Sequence, residues 1–143
     1  MKKIKNLLLL SFLLLNSCDS NFYGDINLGS DFYYIVEPTF NEIVIPVNSK
    51  DPYKSSSPVI QNIQAIGYDK NYILATSGNN DSIKYWFIDK AKKKIELGYD
   101  NKSNLKLSNV NTIDSMKFYN FLKENKIELK ERKYYLKESG YDN

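Results

Sequence analysis

The chain has 143 residues, with 20 basic and 17 acidic side chains and no histidine. Without an imidazole, Ser-His-Asp and Cys-His nucleophilic machinery and the common histidine metal sites are excluded. Its six glycines form no phosphate-binding loop of the G-x-x-x-x-G-K-S/T or G-x-G-x-x-G kind.

The chain opens with Lys2, Lys3 and Lys5, a nine-residue stretch at 7–15 that is apolar except for Ser11, and then Leu15-Asn16-Ser17-Cys18. A stretch of that length is too short to span a bilayer, which takes about 20 residues. A basic start, a short apolar core and a small residue before the cut are what a signal peptidase accepts. The segment Leu15-Asn16-Ser17-Cys18 resembles the lipobox of bacterial lipoproteins. That resemblance implies removal of residues 1–17 by cleavage between Ser17 and Cys18, lipidation of Cys18, and a membrane anchor facing an extracytoplasmic compartment of the cell envelope. The alternatives are an ordinary buried thiol and a conventional secretory cut nearby. Each buried methylene contributes ~0.8 kcal/mol, so one acyl chain binds marginally and two or three hold firmly.

Without the signal the chain carries 17 bases and 17 acids, so its basic precursor says nothing of nucleic acid, and no nucleic-acid partner is expected. The charge is unevenly placed. Residues 18–81 hold eight acids and three bases, and residues 82–143 hold nine acids and fourteen bases. Mutual attraction of the two halves within one fold is the expected use, with a basic face toward anionic lipid or an acidic partner as the alternative.

Residues 18–30, rich in Asn, Asp, Ser and Gly, read as a flexible tether, and residues 31–143 as one domain large enough to bury a core. Within 25–31 oxygen ligands alternate, but the glycine and glutamate of a calcium loop are missing, so no metal and no cofactor are expected. Residues 32–36 and 43–47 are aromatic and β-branched and predict strands, joined by a turn at 37–42. Residues 48–58, with Pro52, Pro58 and the Ser55-Ser56-Ser57 run, predict a loop. Residues 63–68 and 71–76 predict an antiparallel hairpin turned by Asp69-Lys70. After a turn at 77–81, residues 83–88 predict a strand with Ile83, Tyr85 and Phe87 on one face and Trp86 and Ile88 on the other, which requires cover on both sides. Residues 94–99 predict its hairpin partner, across a tip solvated by Lys90, Lys92 and Lys93. Asn111 or Thr112 is the expected cap of a helix with Asp114 in its first turn and Phe118, Phe121 and Leu122 as its apolar stripe. Residues 127–129 predict a short last strand, and Tyr134-Tyr135-Leu136 add contacts.

The predicted class is α+β: a single domain, mostly antiparallel sheet, with one C-terminal helix packed on it. The expected core is Tyr34, Val44, Ile66, Ile73, Tyr85, Phe87, Phe118 and Leu122. Trp86 reads as core in preference to a stacking platform for a sugar or partner. As a layout, residues 66–75, residues 85–90 and the amphipathic helix ending Phe121-Leu122 resemble a group of small envelope lipoproteins of a domain-of-unknown-function family. The resemblance implies a fold and a location and brings no catalytic residues. The function expected is that of a lipid-anchored, non-enzymatic envelope lipoprotein acting by protein contact, as an immunity or inhibitor protein or an accessory subunit. Tyr53, Lys123, Lys126 and Lys130 are the candidate contact residues. The alternative is a carboxylate-dependent hydrolase or a carbohydrate-binding module working on envelope polymers.

Overall fold

The computed structural model describes residues 26–47, 56–79 and 81–140. The expected signal, with Ser17 and Cys18, and the candidate contact residue Tyr53 lie outside the described residues. Strands β1 (Ile26–Gly29), β2 (Phe32–Val36), β3 (Asn41–Pro46) and β4 (Ser56–Gln61) form a four-stranded sheet in chain order. A five-stranded sheet runs β10 (Val110–Ile113), β7 (Ser82–Asp89), β6 (Tyr72–Asn79), β5 (Ile63–Tyr68) and β11 (Lys130–Glu131). Strands β8 (Glu96–Tyr99) and β9 (Leu105–Leu107) form a separate ribbon, and helices α1 (Ser115–Asn125) and α2 (Arg132–Glu138) complete the described chain. Every pairing is antiparallel. The result is one small domain, mostly antiparallel sheet, with two short helices.

Alternation along the strands generates the layers. Phe32, Tyr34 and Val36 of β2 and Ile43 of β3 pack with Ile66, Ile73 and Ile88 of the five-stranded sheet in the larger core cluster. The opposite face of the five-stranded sheet offers Leu74, Tyr72, Tyr85 and Phe87 to Phe118, Leu122 and Phe121 of α1. The double-sided strand expected at 83–88 is thus β7, covered on one side by the larger core and on the other by α1. Tyr34, Val44, Ile66, Ile73, Phe118 and Leu122 are buried as expected, whereas Tyr85 and Phe87 are only half-buried. An eleven-residue helix is too short to cover the whole sheet face, so rings at its margin keep an edge in solvent.

Several local expectations are corrected. Of the tether expected at 18–30, residues 18–25 lie outside the described residues, and 26–29 are instead β1, which pairs with β2 and buries Leu28. Of the loop expected at 48–58, residues 48–55 lie outside the described residues, and 56–58 belong to β4, an outer strand of its sheet that pairs Pro58 with Val44. The hairpin turn lies at Lys70-Asn71, one residue later than expected. Asp69 Oδ1 accepts from the N–H groups of Asn71 and Tyr72 at 2.7 Å, and its own N–H bonds to Tyr72 at 3.1 Å, which moves the turn. Residues 94–99 do not pair with β7, whose second neighbour is β10; β8 pairs with β9 instead. Asn111 and Thr112 belong to β10, opposite Phe87 and Trp86, so Asp114 is the actual cap, accepting from the N–H of Lys117 at 2.8 Å. The expected last strand at 127–129 lies later, at β11, and the 134–136 contacts form a second helix. Tyr135 of α2 is buried, donates to the Ile66 carbonyl at 3.0 Å and stacks edge-on against Tyr34 at 5.5 Å.

The two charged halves are joined less by carboxylates than by carbonyls. Among the described residues, the ion pair that crosses between them is Lys94–Asp31, at 3.4 Å. Lys90, expected in solvent, is half-buried and donates to the carbonyls of Leu28 and Asp69. Arg132 likewise donates to the carbonyls of Glu37 and Pro38. Cations placed on the backbone hold the first sheet, the hairpin turn and α2 together.

Glu42 is buried at 6% exposure and accepts from Gln61 Nε2 at 3.1 Å. Burial pushes its carboxyl above the ordinary value of 4.5, and the Gln61 bond only partly opposes this. Between 4.5 and the raised native value the folded chain therefore holds more protons than the unfolded one, so stability falls as pH rises through that window. Glu42→Gln should raise the melting temperature at pH 7 and lose that advantage as the buffer is taken below 4.5. Thermal scans at both pH values check this, and a variant less stable than the parent at neutral pH would overturn it.

Candidate functional site

The chain opens a cleft of about 350 Å³ between the β6–β7 hairpin, the β4–β5 corner and the β8–β9 loop. Ser77, Gly78 and Asn79 of β6 and Ser82, Lys84 and Trp86 of β7 line one side. Gln61 and Asn62, at the corner where β4 passes into β5, line another. The third wall is the β8–β9 loop, with Asp100, Asn101, Lys102 and Asn104.

Each wall has a local cause. Asn62 takes a left-handed backbone, φ 58°, that an asparagine tolerates. It is tied on both sides, donating to Asn41 O and accepting from Gly78 N, each at 3.1 Å. Gly78 lies at φ 114°, and a Cβ there would stand 2.2 Å from the Ser82 carbonyl oxygen, so only glycine closes this end of the hairpin. The β8–β9 loop is wound around Asp100. Its Oδ1 accepts from the N–H groups of Lys102 and Asn104 at 2.8 Å, and its Oδ2 accepts from Asn104 Nδ2 at 3.2 Å. Burial raises the Asp100 pKa, but the donors from Asn104 and Lys102 and the charge of Lys106 outweigh it and hold the carboxyl below the ordinary range.

Trp86 is the chain's single tryptophan. The expectation that it is core is half met: it packs against the larger core cluster, yet it is half-buried and lines the cleft. Its indole N–H donates to Ser77 Oγ at 2.7 Å, which fixes the ring. A fixed aromatic surface beside amides and hydroxyls suits a ligand with an apolar face and a hydroxylated rim.

The other candidate residues do not join this site. Lys123 lies in the last turn of α1 and Lys126 is its C-cap at φ 55°, both exposed. Lys130 on β11 pairs with Glu128 at 3.6 Å and stands 4.0 Å from the centre of the Tyr134 ring. They flank the end of α1 but present one basic pair, Lys123 and Lys126, since Lys130 is already engaged.

Sequence reasoning missed every lining residue of the cleft except Trp86. A signal existed in the asparagine-rich segments on either side of the tryptophan strand, but such segments have the composition of ordinary turns. No protein-family model, no curated protein and no solved structure matches the chain.

Proposed function

We propose that this chain is a lipid-tethered, non-enzymatic binding protein of a bacterial cell envelope, of the α+β class, whose recognition site for an envelope saccharide is the Trp86 cleft. The anchor is Cys18, and the domain faces an extracytoplasmic compartment. The observation that carries the binding reading is the Trp86 ring, locked by Ser77 in a cleft walled by amides and hydroxyls. Hydrolysis is less well supported, because among the described residues Asp100 is the one lining carboxylate and its oxygens are engaged by its own loop. A pair of free carboxylates at a defined separation is what glycoside hydrolysis needs.

A second reading, protein contact of the immunity, inhibitor or accessory kind, is favoured by Leu97 of β8 and by Ile95 just before it, 65% and 52% exposed. Such side chains suit an apolar partner surface.

The tether is tested by Cys18→Ser in cells fed labelled fatty acid. The parent should incorporate label and fractionate with membranes, and the variant should do neither; normal labelling of the variant sinks the anchor. The cleft is tested through the intrinsic fluorescence of Trp86, which should shift when soluble envelope polysaccharide is added. Unchanged emission, together with retention of a protein partner on the full chain, would transfer the assignment to protein contact.

A further inference from the structure

The cleft carries charge that the fold does not use. Lys84 of β7 and Lys102 of the β8–β9 loop both line it and are both exposed. Among the described residues neither forms an ion pair. Asp100, the lining carboxylate, is turned into its own loop by three donors. The two ammonium groups are therefore left to the ligand.

Resting on the reading of this cleft as a saccharide site, we propose that its ligand is an acidic sugar. The ring face of a hexuronic acid lies on Trp86, its hydroxyls bond the amides of Gln61, Asn79 and Asn101, and its carboxylate is taken by Lys84 and Lys102. A neutral sugar would leave both ammonium groups without a partner, whereas a charge-assisted bond to a carboxylate is the stronger kind. An acidic peptide satisfies the lysines equally well but makes little use of a fixed flat ring surrounded by side-chain amides. The density of amides favours vicinal hydroxyls, each of which both donates and accepts.

The test uses the full chain and two probes, hexuronate tetrasaccharides and the same tetrasaccharides after carboxyl reduction, followed by Trp86 fluorescence. Two partly screened contacts predict about tenfold tighter binding of the acidic form, shrinking toward parity in high salt. A Lys84→Met, Lys102→Met double variant should lose the acidic preference and bind the two probes alike. Both positions are exposed, so an unchanged melting curve is the expected control. Equal affinity for the two probes overturns the acidic-sugar proposal and leaves the saccharide reading standing. Binding of neither probe overturns both. A glutamate-rich peptide that competes as tightly as the uronate overturns the sugar in favour of an acidic protein partner, and an acidic preference that survives the double variant overturns the assignment of the carboxylate to Lys84 and Lys102.

Discussion

Phe118→Ala should lower the unfolding free energy by about 3–5 kcal/mol, the range for removing a buried aromatic ring and leaving a cavity. Phe118 is fully buried and belongs to the smaller core cluster with Leu74, Leu122 and Ile127. Its ring centre lies 5.1 Å from that of Tyr85 and 5.3 Å from that of Tyr119, so two aromatic side chains lose a contact when it goes. No other residue of α1 reaches as far: Leu122 is the only other one buried, and Phe121 lies at the margin against Tyr72 and Phe87. Without Phe118 the helix keeps its Asp114 cap but loses its main hold on the sheet. The same truncation at Phe87, expected from the sequence to be a core position, should cost less because that ring is half-buried already. Urea unfolding of the two variants ranks them directly. A midpoint for Phe118→Ala equal to that of the parent would show that α1 contributes little to the fold.

What the sequence disclosed and what it hid divide along a physical line. Side-chain periodicity was legible wherever it reports one face: β2, the β5–β6 pair, β7 and the stripe Phe118, Phe121, Leu122 all sit where alternation or helical spacing puts them. Pairing was less legible, because residues 94–99 have a strand's composition whether they lie beside β7 or β9. The outcome depends on β10 occupying the place next to β7, a contact between Thr112 and Trp86 that no local pattern encodes. Lys90 illustrates the same limit. In a run of lysines it reads as solvated, yet it reaches the carbonyls of Leu28 and Asp69 because β1 happens to pass there. The cleft was hidden for a third reason: its walls come from three turns far apart in the chain, each unremarkable alone, and only Trp86 among the lining residues drew notice.

Gly67→Ala should destabilise the protein by about 1–3 kcal/mol, although the substitution would be expected to help at an ordinary strand position. Replacing glycine by alanine narrows the unfolded ensemble and commonly stabilises by about 0.4–1 kcal/mol where the backbone and the surroundings allow it. The backbone of Gly67 is ordinary, but the surroundings do not permit a Cβ. It would stand 2.6 Å from the Glu128 carbonyl oxygen and 2.9 Å from Ile127 Cγ2. The Ile127 methyl can rotate away. The Glu128 carbonyl is backbone, two residues before Lys130 pairs with Ile66, so it can retreat only by pulling β11 off β5. That displacement also strains α2, whose Tyr135 hydroxyl is bonded to Ile66 O. Overpacking of this kind costs about 1–3 kcal/mol, which outweighs the entropic gain. The expected result is a lowered urea midpoint together with faster amide exchange at Lys130 and Glu131. A raised midpoint would mean that the segment after α1 moves aside freely, and that the close approach at Gly67 is a tolerance of the fold instead of one of its constraints.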